Sequence, residues 1–174
     1  MSDRVDAIRG KLYGEEGASI FAILDGASVP GLLQKLADQE PPHVCLYRGT
    51  LEPDMAEVAP YLVRLDRDMP FTDWVLDRGW GNHWGIFAET AADLNSLRGH
   101  LRTLLKVHDS DGKPLLFRYY DPRVLRVYLP TCNGEELNTM FGPVDAYWTE
   151  DESGAALLRF RLKNGILAKQ VEQI

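Results

Sequence analysis

The chain has 174 residues, 45% of them hydrophobic and 26% charged, enough for one domain that buries most of its apolar surface without disulfides or metal. A formal charge of −7 argues against a general nucleic-acid binder, which needs a clustered basic surface to neutralise phosphates. No apolar run reaches the roughly 18 residues of a membrane span, and the start MSDRVDAIRGKLYGEEG has no apolar signal core after its basic residues, so the chain reads as cytoplasmic with no membrane partner.

Residues 1–18 read as an N-terminal extension ahead of a main domain over 19–150, with a C-terminal strand and tail over 151–174. The run Ser19-Ile-Phe-Ala-Ile-Leu24 is apolar throughout, as expected of a strand covered on both faces, and Asp25-Gly26 ends it as a turn pair. Val44–Tyr47, Tyr61–Leu65, Trp84–Ala88 and Leu115–Tyr120 repeat the pattern. Between them lie helical candidates: one opened by Ser28 and Pro30 and ending near Gln39, a short one from Pro53 to Val58, and a third lined by Phe71, Trp74 and Val75 before Gly79. Strands alternating with helices predict an α/β fold, a single layered domain whose central sheet is mixed and partly parallel, flanked by helices and followed by an antiparallel hairpin.

The strongest helical pattern runs from Ala91 to Val107, with Leu94, Leu97, Leu101, Leu104 and Leu105 at helical spacing and Thr90 with Asp93 as its start signal. On another face Arg98, Arg102 and Lys106 fall at i, i+4 and i+8, a basic row that either meets an acidic partner or faces water. In Leu115–Pro143, Asp121-Pro122 starts a helix, Asn133 with Glu136 starts a second, and Gly142-Pro143 stops it. Val144–Trp148 and Ala155–Leu162 form the predicted hairpin, with Leu158, Phe160 and Leu162 on one face and Arg159, Arg161 and Lys163 on a solvated one. Ile166–Ile174 is expected as a helical turn or two.

Candidate chemistry is sparse. Asp25, Asp66 and Asp121 each follow an apolar run, and together they would suit Mg²⁺ and phosphoryl transfer, although a turn at Asp25 and a cap at Asp121 account for two of them locally. The chain contains no GxSxG, GxxxxGK[ST], HExxH or GxGxxG. The four histidines lack ligand spacing, and Cys45 and Cys132 carry no zinc or disulfide signature. Trp80 and Trp84, flanking His83, are either interface or core residues. Arg118, Asp121 and Arg123 form a candidate organising polar cluster at a strand-to-helix junction.

The order Leu24-Asp-Gly-Ala27, Leu46-Tyr-Arg-Gly49, Ala59-Pro-Tyr-Leu-Val-Arg-Leu-Asp66, Trp84-Gly85, His100-Leu-Arg with Leu104-Leu, Leu116-Phe-Arg-Tyr-Tyr-Asp-Pro-Arg-Val-Leu125, Leu129-Pro130 and Phe141-Gly-Pro143 resembles the type VI secretion adaptor family, the Tap or TEC proteins, catalogued as a domain of unknown function. The resemblance spans about residues 19–150. It implies a bacterial cytoplasmic chaperone that binds a secreted effector and helps load it onto the VgrG spike, sometimes through a PAAR protein, with no catalysis and no cofactor. The competing readings from the residues are a Mg²⁺-dependent phosphotransfer enzyme using the three aspartates and a small-ligand-binding domain.

Overall fold

The computed structural model describes residues 3–14 and 17–174. Its first half runs α1 (Asp3–Leu12), β1 (Ser19–Asp25), α2 (Leu32–Gln39), β2 (His43–Cys45), α3 (Pro53–Val58), β3 (Pro60–Leu65), α4 (Pro70–Gly79) and β4 (Gly85–Thr90). The second half runs α5 (Leu94–Leu104), β5 (Lys106–His108), β6 (Pro114–Leu116), α6 (Pro122–Tyr128), α7 (Gly134–Phe141), β7 (Ala146–Glu150), β8 (Ala156–Lys163) and β9 (Ile166–Gln173).

Seven strands form one sheet in the order β2-β3-β1-β4-β7-β8-β9. Every pairing in it is antiparallel, so the expected mixed, partly parallel sheet is wrong. Unbroken apolar runs report burial on both faces, and that burial is present here, but they carry no information on strand direction. Val5, Ile8 and Leu12 of α1 pack with Leu32 and Leu36 of α2 and with α4 on the face that carries Ala22, Leu24 and Val63. Leu97, Leu101 and Leu104 of α5, Leu125 of α6 and α7 cover the other, against Phe21, Ile23, Leu62 and Ile86. Each fully buried leucine contributes about 1.5–3 kcal/mol. Apart from α1, which precedes β1, both helical layers are built from the connections of an antiparallel sheet.

Further expectations give way as well. The segment Leu115–Tyr120 does not enter the main sheet. Only Pro114–Leu116 is strand, in a separate two-stranded ribbon with β5, while Tyr119 and Tyr120 turn inward and are buried. The final segment is not helical; β9 pairs along its length with β8, from Ala156↔Gln173 to Lys163↔Ile166. The basic side of β8 does not simply face water, because Arg159 lies over the Trp148 ring, 4.6 Å from its centroid, and its guanidinium reaches both oxygens of buried Glu89 at 2.9 Å. Within the stretch expected as an extension, residues 3–12 form α1, which joins the core; residues 1, 2, 15 and 16 lie outside the described ones.

Helix punctuation follows the sequence closely. Asp121 accepts a hydrogen bond from Arg123 N–H with Pro122 at the first helical position, and Asn133 with Glu136 forms a reciprocal capping box on α7. Helix α5 is capped by Asp93, which accepts from Ser96 N–H, and not by Thr90, whose hydroxyl donates to the Pro143 carbonyl. Helix α2 begins only at Leu32, because the residue before it, Gly31, sits in the left-handed region at φ 72° and interrupts the turn that Ser28 opens.

Candidate functional site

At the C-terminal end of β1, Asp25 is almost wholly buried and accepts from Ala27 N–H at 3.1 Å, from the Ser28 hydroxyl at 2.9 Å and from Arg118. Two glycines permit this turn. A Cβ on Gly26 would lie 2.5 Å from the Ala59 carbonyl oxygen, and one on Gly85 would lie 2.0 Å from that of Ile23. Of the residues singled out at this junction, Arg118 pairs with Asp25, and Asp121 pairs with Arg123. Arg118 pins the segment before α6 to the sheet, and Asp121 holds the Arg123 guanidinium through Nε at 3.0 Å and a terminal nitrogen at 2.8 Å. Burial opposes the Asp121 charge, but the Arg123 side chain and N–H, then Arg118, outweigh it and hold its carboxyl below the usual range. Burial likewise opposes the Arg118 charge, and Asp25 more than offsets it, so that guanidinium holds its proton more tightly than usual.

The three-aspartate arrangement is not built. Register places Asp25 opposite Pro60, while Asp66 follows Leu65, the partner of Ile20, at the other end of β3. Six residues of strand separate the two ends by roughly 20 Å. Asp66 instead accepts from Arg64 Nε at 3.0 Å near the surface. Among the described residues no three His, Cys, Asp or Glu side chains converge as metal ligands.

The two tryptophans are core residues. Trp80 is 6% and Trp84 8% exposed; Trp80 Nε1 donates to the Gly154 carbonyl at 2.8 Å, and Trp84 packs at 4.7 Å on Trp74. Beside them buried Glu150 accepts from Gly81 N–H and contacts His83 Nδ1 at 2.6 Å, fastening the turn before β4. Cys45 and Cys132 are free and half-buried, and burial pushes both thiols up, away from the reactive thiolate.

The basic row divides. Arg102 reaches across to the end of β2, donating through Nε to the Leu46 carbonyl at 3.1 Å and through a terminal nitrogen to those of Cys45 at 2.9 Å and Tyr47 at 3.2 Å. It is a clasp between α5 and the loop after β2. Lys106 lies past the helix end, in β5, and is exposed. Arg102 and Lys106 line a groove of about 580 Å³ with Arg48, above a floor of Leu46, Leu105 and Leu116. The ribbon beside it leaves Val107, Leu115 and Leu116 exposed, Leu116 at 52%. Arg48 was not foreseen. Its signal was the adjacency of Arg48 to an apolar strand end, which gains meaning only when Arg102 draws that end toward α5.

Among the described residues no helix is long and apolar enough to cross a membrane. No curated protein and no solved structure is significantly similar to the chain. The profile of one family, described as Domain of unknown function (DUF4123), matches residues 20–139, from β1 through most of α7 and including the Asp25 cluster and the groove. The chain belongs to the DUF4123 family.

Proposed function

We propose that this protein is a non-enzymatic adaptor that binds a type VI secretion effector and helps load it onto the VgrG spike, in some cases with a PAAR protein as the third member. The observation that carries the reading is the ordered set of motifs from Leu24-Asp-Gly-Ala27 to Phe141-Gly-Pro143, nearly all within the DUF4123 match, which resembles the secretion adaptors. The geometry is compatible with a holding role. Asp25, Asp121 and Glu150 are engaged in turns, caps and ion pairs, whereas the groove beside Arg48 and Lys106 presents charge and apolar surface to the outside.

An adaptor of this kind turns nothing over and carries no cofactor. It acts by holding cargo beside the spike, which raises the effective concentration of each for the other. The site of action is the bacterial cytoplasm, before export. Co-expression with the effector and spike encoded beside its gene, followed by size-exclusion chromatography, is expected to yield a complex containing all three chains. Folded protein that retains neither partner at low salt would refute the proposal.

A further inference from the structure

Three surfaces present chemistry that the fold itself does not use. A cavity of about 760 Å³ beside α6 mixes Arg123, Arg126 and Lys169 with Asp151 and Glu152, so its charge selects no partner. A second, of about 510 Å³, contains Glu89 and Arg161, which already face each other at 3.6 Å. The third, the groove between α5 and the loop after β2, is different: among the described residues none of its lining side chains is acidic.

Its cations are not neutralised from within. Among the described residues Arg48 and Lys106 of the lining make no ion pair, nor does Arg98, which lies outside the lining one turn before Arg102 on α5, and Arg102 itself donates to carbonyl oxygens. Burial first, then the charges of Arg98 and Arg48, make Arg102 give up its proton more easily than usual, which places both guanidiniums close enough to act on it. A chain with net charge −7 therefore gathers unpaired cations at one place. That place also has an apolar lining, of which Leu116 is 52% exposed. A solvated basic patch needs no leucines, and an apolar pocket needs no cations; the two together match a chain carrying carboxylates around apolar anchors.

We propose that this groove docks an acidic segment of a partner protein, with the partner's apolar side chains seated on Leu51 and Leu116 and its carboxylates facing Arg48 and Lys106, while Arg98, one helical turn before Arg102, adds to the field from outside the lining. The inference deepens the adaptor reading and rests on it for the partner being a protein. Arg102 is the positioning residue, since it holds the wall that carries Arg48 against α5.

The test uses the whole chain and a fluorescein-labelled, helix-forming peptide rich in Glu with one face of Leu, read by fluorescence anisotropy. The parent is expected to bind it with an affinity that falls as salt rises. The triple variant Arg48→Glu, Arg98→Glu, Lys106→Glu should bind at least about tenfold more weakly, as should the single variant Leu116→Ser, which keeps the charges and alters an exposed position. A peptide with Ser for Leu should bind more weakly than the original, and one with Lys for Glu should not bind. Undetectable binding by the parent, unchanged binding by the folded triple variant, or equal binding of the Ser peptide would each overturn the proposal, the last by reducing the groove to a general anion patch. The same triple variant in the three-chain co-purification separates this inference from the adaptor reading. If the parent bridges effector and spike and the variant bridges equally well, the groove assignment falls and the adaptor reading stands. If the parent bridges nothing, the adaptor reading falls and the peptide titration alone decides the groove.

Discussion

Glu89 and Arg159 form the most deeply buried ion pair among the described residues, with side chains 3% and 11% exposed. Glu89 accepts from Trp148 Nε1 at 2.8 Å and from Arg159 at 2.9 Å through each oxygen, with Arg161 at 3.6 Å. Glu89→Leu removes the acceptor for all of them and breaks a buried ion pair by taking away one partner, a loss expected to cost about 3–5 kcal/mol. For a chain of this size each kcal/mol lowers the midpoint by about 2–4 °C, so Tm should fall by roughly 6–20 °C. Arg159→Leu leaves Glu89 with Trp148 and Arg161 and should cost less, about 2–3 kcal/mol. The double variant replaces both charges by apolar groups and should cost less than the larger single change, because neither charge of the pair is left facing an apolar replacement of the other. Urea unfolding followed by tryptophan fluorescence gives the full cycle, with Trp148 as a local reporter. If the two single costs add to the double within about 0.5 kcal/mol, the pair is not coupled and the reasoning fails.

Asn133→Ala breaks the capping box of α7 and should cost about 1 kcal/mol, seen as a Tm lower by a few degrees, whereas Asn133→Gly should cost only a few tenths. Burial lowers the pKa of His100, although its Nε2 contact with the Met140 carbonyl at 3.2 Å opposes this, so the unfolded chain binds the proton more readily. Its contribution is complete above the unfolded value of about 6.5 and is lost as pH falls toward the lower folded value; His100→Gln should flatten urea midpoints between about pH 7 and 5, and an unaltered slope would exclude His100 as the source. Gly85→Ala drives a methyl into the Ile23 carbonyl and should cost about 3 kcal/mol or prevent soluble expression; a Tm within 1–2 °C of the parent would show that β4 can shift to admit it.

Local chemistry was readable before any coordinates. Asp121-Pro122, Pro53 and Asn133 with Glu136 start helices where the residue types require, since a cap joins a side chain to backbone only a few positions away. The strands over residues 19–25, 60–65 and 85–90 were equally legible, because two-sided burial demands unbroken apolar runs. The candidate cluster was found only in part. Arg118, Asp121 and Arg123 are near neighbours in the chain, but Asp25 joins them from 93 residues away.

By itself, then, the sequence determined the central strands and helices, most of their ends, the hairpin of β7 and β8, and the membership in DUF4123, but not α1, the β5–β6 ribbon or β9. Tertiary structure alone decided strand direction, the strand character of the last segment, the burial of Trp80 and Trp84, the pairing of Glu89 with Arg159, and the closing of a basic groove around Arg48. The division has one physical cause. Caps, turns and periodic burial act over a few residues and leave their mark in local order, whereas register and charge pairing depend on which distant segments the packed layers bring together.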